Sequence, residues 1–377
     1  ADGGILAADG ELSAPPRASV KLLATAAEAL ERSGLAARER IAAIRSWSRF
    51  LVMVKRTAFT RGEIAAIRTF CAERSFDVVY YAGMPESEAN RFNLLDQPVL
   101  FRAAQALIGP SRQEFVRDYK LHVAPATDDR PYFFRSFRWR SLAELLRLRT
   151  RGGAALVEWS YILLVAALAQ AVLAGLVLIL LPLWLIRRRS IAGASRVGLY
   201  FLCLGLAFLF LEIAFIQHLT RFLAHPLLAV AVVLTGFLFF AGLGSGASQW
   251  LERRWPRAPI RLAVGAIVLT VLLCVALSTV LFTRCAAWSP WLKVPLALLA
   301  IAPLAFFLGM PFPLGLRRVA AEQPDLVPWA WGVNGWASVL SAVLATLLAV
   351  HLGFTAVVVV ACGLYVVAGL AAPHAAR

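Results

Sequence analysis

The pattern of hydrophobic and polar positions changes near Leu156. Before this point, apolar and polar residues alternate with helical and strand-like spacings; after it come long apolar stretches joined by short polar loops. About 20 apolar residues are needed to cross the hydrocarbon core of a bilayer. We therefore predict a mostly α-helical, polytopic membrane bundle of about seven transmembrane helices. The predicted spans are Leu156–Ile186, Val197–Leu219, Leu227–Trp250, Ile260–Phe282, Val294–Leu316, Trp329–Val350 and Phe354–Ala371.

The pattern before Leu156 predicts a small sheet with helices. Strands are predicted at Gly3–Leu12, Ile41–Trp47, Phe50–Lys55 and Phe76–Gly83. Helices are predicted at Pro15–Gly34, from a capping box at Thr60–Glu63 to about Arg74, and near Val99–Leu107 and Ser111–Tyr119. Three or four strands are too few for a complete doubly wound domain, so we expect a partial α/β domain.

Composition and charge support a membrane location. Hydrophobic residues make up 60% of the chain and the mean hydropathy is +0.71, whereas soluble domains are about 45–50% apolar. The net charge of +16 comes mainly from arginines, which flank membrane helices and meet anionic lipid. We therefore expect the lipid bilayer, and no nucleic acid, as a partner. The five cysteines form no CxxC pair, so we expect neither a disulfide framework nor a metal site.

Seven segments in the two halves of the chain have a recognisable sequence. In the first half these are "PPRASVKLLATAAEALERSG", "IAAIRSWSRFLVMVKRTAFT" and "TDDRPYFF". In the second half they are "LEIAFIQHLTRFLAHP", "AGLGSG", "GMPFPLGLR" and "WAWGVNGWASVLSAVLA". Together they resemble bacterial multi-pass membrane proteins that carry a spermidine-synthase-like domain. That domain has the fold of S-adenosylmethionine-dependent methyltransferases. The resemblance implies a partial domain at 1–126, an Arg-rich junction at 127–155 and a seven-helix membrane domain at 156–372.

One element of that fold is missing from the sequence. A nucleotide is bound by a glycine-rich turn between the first strand and helix, where the backbone approaches closely at a helix N-terminus. "DGGILAADG" is rich in glycine but sits where the later strands of the fold begin, and "GLGSG" lies inside an apolar stretch. The resemblance implies S-adenosylmethionine, or its decarboxylated form, as cofactor. We expect that this chain alone binds neither, and that an N-terminal domain or a partner chain supplies the site. Aminopropyl- or methyl-transfer is implied only with that part present.

A glutamate, Glu212, interrupts the apolar stretch "LFLEIAFIQHL". An ionised side chain at mid-bilayer costs about 2.5–3.5 kcal/mol, so such residues face the bundle interior. Asn334 and Ser338 lie on a small, polar stripe of another span, and we predict that they share a polar pocket with Glu212. Gln217 and His225 are added to this pocket, although interfacial positions suit both. A functional carboxyl and a hydrogen-bonded packing residue both remain open for Glu212.

Glycines and prolines mark predicted packing surfaces and a helix end. Gly242 and Gly246 form a GxxxG motif, which lets two membrane helices approach closely. "GMPFPLG" places Gly309, Pro311 and Pro313 near the end of a span, where proline interrupts a helix. A simple helix end is favoured over a broken helix that lines a transport site.

The junction motif "TDDRPYFF" is the sharpest polar motif of the first half. Asp128 and Asp129 can cap a turn, Arg130 can clamp a carboxylate, and Tyr132 with the phenylalanines can dock onto the membrane surface. A structural role is favoured over contact with a substrate.

Three hypotheses for function follow. The chain is the membrane-embedded C-terminal part of a spermidine-synthase-like protein, a small-molecule transporter module with an intramembrane pocket, or a non-catalytic scaffold for a partner enzyme. We expect it in the bacterial inner membrane. Counting arginine and lysine in the loops gives nine against eleven on the two sides, which does not decide the orientation. The cytoplasm is preferred for the first half because S-adenosylmethionine is made there.

Overall fold

The computed structural model describes residues 3–141, 159–182 and 193–373. The chain divides into two compact units, Ala1–Tyr161 and Ile162–Arg377. The predicted boundary between residues 155 and 156, and the part of the junction from 142 onward, lie outside the described residues.

The first unit contains a four-stranded sheet that is antiparallel throughout. Its order is β1-β3-β2-β4, and β2 and β3 form a hairpin. Because β1 and β2 both run antiparallel to β3, they point in the same direction, although β3 lies between them. The strands are β1 (Ile5–Glu11), β2 (Ile41–Arg45), β3 (Arg49–Lys55) and β4 (Asp77–Tyr80).

Four helices accompany this sheet and cover both its faces. The helices are α1 (Ala18–Arg32), α2 (Arg61–Glu73), α3 (Val99–Ile108) and α4 (Arg112–Asp118). On one face, Leu23 of α1 and Leu107 of α3 share a core with Val52 of β3. On the other, Cys71 of α2 packs with Ile44 of β2. The predicted strands and helices of the first unit are confirmed, with shifts of a few residues at their ends.

The start of α2 confirms the predicted capping box. The Thr60 hydroxyl accepts a hydrogen bond from the Glu63 amide, and the Glu63 carboxylate accepts one from the Thr60 amide. This satisfies two amides that a helix N-terminus otherwise leaves unbonded. The Lys55 ammonium also donates to Glu63 at 2.5 Å, and this hydrogen bond is the main reason that the pKa of Glu63 is lowered to about 2.

Among the described residues of the chain, seven helical stretches are long and apolar enough to span a bilayer. This confirms the predicted number of spans. The seven stretches contain eight helices, because α9 and α10 together form the stretch Pro290–Glu322. The helices are α5 (Trp159–Gly175, continued by a π-helical turn at Leu176–Leu180), α6 (Ala194–Leu223), α7 (Pro226–Arg254), α8 (Pro259–Arg284), α9 (Pro290–Leu308), α10 (Pro311–Glu322), α11 (Val327–Leu352) and α12 (Phe354–Ala371).

Helix α6 is the central helix of the second unit, and it packs against α7, α11 and α12. Its side chains Tyr200, Phe201 and Leu211 are fully buried. Helices α6 and α11 run in the same direction, because Asn334 bonds near the start of α6 and Ser341 bonds further along it. The contact between these two helices carries the polar stripe predicted from the sequence.

Two arginines cap the C-terminal end of α12. Arg196 donates to the carbonyls of Leu370 and Ala371, and Arg318 donates to the carbonyl of Pro373. The last carbonyls of a helix lack partners within the helix, and basic side chains at that end also interact favourably with its dipole. Part of the basic charge that flanks the spans is therefore used to hold helix ends together.

Candidate functional site

Glu212 lies inside the helical bundle. Its side chain is 6% exposed, so it does not sit on the lipid-facing surface. Within the described part of the chain, no hydrogen bond or ion pair reaches its carboxyl group. An ionisable side chain inside a membrane bundle is a functional candidate by default, which makes this position the strongest candidate site of the membrane unit.

The stripe on α11 packs directly against α6. The Asn334 amide donates to the Phe201 carbonyl at 3.1 Å, and the Ser341 hydroxyl donates to the Leu206 carbonyl at 2.8 Å. A Cβ at Gly205 would lie 2.5 Å from the Asn334 carbonyl oxygen, so the absence of a side chain permits this close approach. Ser338 donates to the Asn334 carbonyl one turn back on its own helix.

The structure shows no direct bond between Glu212 and Asn334. Glu212 lies seven residues beyond Gly205, which is about 10 Å along a helix that rises 1.5 Å per residue. One N–H of the Asn334 side-chain amide is donated to the Phe201 carbonyl. A pocket that both residues border stays a prediction.

The two other polar residues assigned to the pocket have different surroundings. Gln217 is half-buried on α6. His225 is exposed in the turn before α7, where its Nδ1 accepts a hydrogen bond from the Leu228 amide. This position caps a helix and does not fit the intramembrane pocket predicted for it. The sequence signal for the cap is the proline that follows, Pro226, which occupies the first helical position.

The close contact between α7 and α9 uses other glycines than the predicted motif. Gly242 and Gly246 are exposed, and a Cβ at either would meet nothing within 4 Å. Gly244 lies between them on the opposite face, and a Cβ there would lie 1.8 Å from the Phe306 carbonyl oxygen. A Cβ at Gly309 would likewise lie only 1.9 Å from the Ala241 carbonyl oxygen. The assignment of Gly242 and Gly246 to helix packing within this chain is therefore wrong, because the motif points away from α9.

The predicted span Val294–Leu316 is interrupted. Helix α9 ends at Leu308, and α10 begins at Pro311, so the structure has a helix break where a simple end was favoured. Pro313 lies in the first turn of α10. The buried Tyr200 hydroxyl donates to the Pro311 carbonyl at 2.5 Å, which fixes the break against α6.

The junction motif is bound to α1 by a lysine that the sequence analysis missed. The Arg130 amide donates to the Thr127 carbonyl at 3.0 Å and closes a turn that contains Asp128 and Asp129. The buried Lys21 ammonium donates to the Tyr132 carbonyl at 2.8 Å and to the Arg135 carbonyl at 3.0 Å. These contacts favour the structural role of the motif.

A buried ion pair connects β2 and β4 at one edge of the sheet, and no sequence motif predicted it. Arg45 at the end of β2 bonds Asp77 at the start of β4 at 3.1 Å, and both side chains are at most 3% exposed. The Asp77 carboxylate also accepts hydrogen bonds from the amides of Arg91, Phe92 and Asn93 at 2.6, 2.8 and 2.9 Å. Burial raises the pKa of Asp77, but the Phe92 and Asn93 amides and the Arg45 charge outweigh it, so its pKa is lowered.

The loop between β1 and α1 and the end of β2 lack the features that usually bind a nucleotide cofactor. The loop between β1 and α1 contains two prolines and no glycine, and α1 begins after Arg17, whose side chain makes no capping bond. Strand β2 ends in Arg45, where a carboxylate would be needed to hold a ribose. A cleft of about 590 Å³ lies after β4, bordered by Tyr80, Arg38 and Glu31, but Arg112 already pairs with Glu31. No group of three metal-ligating side chains occurs within the ranges that the structure describes.

Comparison of the chain with protein-family models, with curated proteins and with solved structures gives no match. Its function therefore has to follow from its own residues and their geometry.

Proposed function

We propose that this chain is the membrane-embedded C-terminal part of a spermidine-synthase-like protein, and that its sheet continues beyond β1 into strands that bind the cofactor. The observation that carries this proposal is the exposure of β1. Ile5 and Leu6 are 48% and 69% exposed, and no strand pairs with the second edge of β1 within the described residues. Strand β4, at the opposite edge of the sheet, is buried throughout.

The connection between β1 and β2 supports the same proposal. Two strands that point the same way and are joined through a helix form the building unit of doubly wound α/β folds. In such folds the strands are buried on both faces, as β2 is here and β1 is not. An exposed edge with apolar residues is a template for a further strand. In this proposal S-adenosylmethionine, or its decarboxylated form, binds to the added strands and not to this chain.

Hydrogen exchange tests the free edge of β1. In the purified chain we expect the β1 amides that do not bond β3 to exchange at nearly the rate of an unfolded peptide, because water reaches them directly. The amides of β2, which lies between two strands, serve as the internal control and should be strongly protected. Protection of all β1 amides to the level of β2 would mean that the sheet is complete as it stands.

We place the first unit on the cytoplasmic side of a bacterial inner membrane, where the cofactor is made. Cys71 is a poor reporter of this orientation because it is 2% exposed and burial raises its pKa to about 11, so the thiolate that reacts is scarce. A cysteine at Gly62 is better, since nothing lies within 4 Å of that position. In G62C, a membrane-impermeant maleimide should label this site only after cell lysis. Labelling of this cysteine in intact cells would show that the first unit lies on the outer side of the membrane.

The membrane unit supports a second function, the movement of protons or small cations through the bundle. The observation in its favour is Glu212, a buried glutamate to which no described residue bonds, on the same helix, α6, that makes polar contacts with α11. Ionisable residues inside membrane proteins mark proton and ion pathways. The break between α9 and α10 resembles the discontinuous helices found at transporter sites.

A further inference from the structure

Four exposed arginines are grouped where α7 ends and α8 begins, in residues 250–261, which we call the arginine turn. Arg253 and Arg254 lie in the last turn of α7, Arg257 lies in the loop, and Arg261 lies in the first turn of α8. Within the described part of the chain, none of the four guanidinium groups takes part in a hydrogen bond or an ion pair. Their donors can therefore bind a ligand from outside the chain.

The acidic residues at this end of the bundle do not neutralise the four arginines. Glu252, the only acidic residue of the arginine turn, already pairs with Arg317 of α10 at 2.9 Å. Because this pair joins the ends of α7 and α10, Glu322 and Asp325 lie at the same end of the bundle. Among the described residues neither of these two forms an ion pair, and the two arginines that cap α12 equal them in number. The charge of the arginine turn is therefore in excess.

Two exposed tryptophans accompany the arginines. Trp250 is 63% exposed and Trp255 is 44% exposed, and their rings meet edge to face with centroids 5.9 Å apart. The Arg254 guanidinium lies 5.0 Å from the centre of the Trp255 ring, over its face, which is a cation–π contact. Tryptophan is enriched at the level of the lipid headgroups, because its ring is apolar and its N–H is polar. The pair therefore fits the boundary between headgroups and acyl chains.

The arginine turn connects two successive spans of the second unit, so it lies at a surface of the membrane. The opposite end of α8 is 26 residues away, which is about 39 Å along a helix and close to the full thickness of a bilayer. At that end Arg284 is exposed, but Arg221 bonds His218 at 2.8 Å. Lys293 is buried and donates to the Ala286 carbonyl at 2.6 Å. The two ends of α8 therefore differ in exposed positive charge.

We propose that the arginine turn binds the headgroup of an anionic phospholipid. Arg253, Arg254 and Arg257 bind the lipid phosphate, since the planar guanidinium group offers paired donors that match phosphate oxygens. Trp250 and Trp255 pack against the upper part of the acyl chains. The occupant is a lipid of the leaflet at this end of the bundle, because the turn joins two spans and combines excess positive charge with tryptophans at headgroup level.

Lipid retention measures the role of the arginines. Native mass spectrometry of the full chain should show phosphatidylglycerol bound in preference to phosphatidylcholine. Replacing Arg253 or Arg254 by glutamine should weaken this binding about fivefold for each arginine, the expected effect of one basic residue near an anionic surface. R253K and R254K keep the charge and should retain the binding. The matched control is R284Q, which removes the exposed arginine at the opposite end of α8 and should not change it.

Photo-crosslinking locates the bound lipid without any substitution in the protein. The full chain is reconstituted in bilayers that contain phosphatidylglycerol with a photoreactive group near its headgroup, and the labelled peptides are identified by mass spectrometry. Residues 250–261 should be labelled at least fivefold more than residues 284–291 at the opposite end of α8. The same photoreactive group on phosphatidylcholine should label the two ends about equally, because that lipid carries no net charge.

Three results would contradict the lipid site. The first is an unchanged preference for phosphatidylglycerol in the double variant R253Q/R254Q, with a folded protein confirmed by its elution volume. The second is equal labelling of the two ends of α8 by the photoreactive phosphatidylglycerol. The third is displacement of the lipid by millimolar inorganic phosphate, which would assign the arginines to a soluble anion.

Discussion

Replacing Asp77 by asparagine is expected to destabilise the first unit by about 3–5 kcal/mol, the usual cost of breaking a buried ion pair. Asparagine has nearly the same shape but leaves the Arg45 guanidinium, 3% exposed, without its counter-charge. It also replaces one carboxylate oxygen by an NH₂ group. The carboxylate oxygens accept hydrogen bonds from the backbone amides of residues 91–93, whereas an NH₂ group can only donate. We expect hydrogen exchange in β2 and β4 to accelerate accordingly in D77N.

The matched control is D96N, at an exposed aspartate. Surface substitutions usually change stability by less than about 0.5 kcal/mol, so exchange in β2 and β4 should stay at the wild-type rate. Equal effects of D77N and D96N would show that the Arg45–Asp77 pair does not hold the sheet edge.

The same pair predicts how stability depends on pH. The pKa of Asp77 is lowered in the folded protein from its ordinary value of 3.8. Its contribution to stability is therefore fully present above pH 3.8 and is lost as the pH falls below that value, through the folded pKa. D77N should remove this part of the pH dependence, and D96N should preserve it.

Replacing Glu212 by glutamine is expected to leave the bundle folded and to abolish proton movement through it. Glutamine keeps the size and hydrogen-bonding capacity of the side chain but cannot exchange a proton at neutral pH. Proton uptake into proteoliposomes under an imposed membrane potential should fall by about 100-fold, the lower end of what a positioned proton-transferring side chain contributes.

Two further variants separate this role from packing. E252Q changes a glutamate that already pairs with Arg317 at 2.9 Å, and proton uptake should not change. If Glu212 only packs, E212Q should be nearly silent, and E212L should not lower stability, because no hydrogen bond to the carboxyl group is lost among the described residues and an apolar side chain takes its place. An E212Q protein with wild-type proton uptake would end the transport proposal.

Local signals in the sequence are enough to predict the elements. Each span is recognisable by its own length and composition, and the capping box at Thr60 and Glu63 involves residues three apart. The main contacts between elements cannot be recognised from a local sequence motif. Arg45 and Asp77 are 32 positions apart, and neither stands in a motif.

The glycine contacts show why spacing alone misleads in a bundle. The GxxxG spacing is satisfied by Gly242 and Gly246, but which face of α7 meets α9 is decided by how the helices pack. Gly244 is not part of a GxxxG motif, yet it lies in the contact between α7 and α9. His225 was grouped with Glu212 because both are polar and near in sequence, although the helix ends between them at Leu223.

Calorimetric titration with S-adenosylmethionine shows whether this chain binds the cofactor by itself. We expect no binding to this chain at micromolar concentrations, for either S-adenosylmethionine or its decarboxylated form, because the loop between β1 and α1 offers no glycine-rich turn. We expect binding once strands that pair with the open edge of β1 are supplied, on the same polypeptide or on a partner chain. Micromolar binding to this chain alone, or no binding when those strands are present, would mean that the proposed division of the cofactor site is wrong.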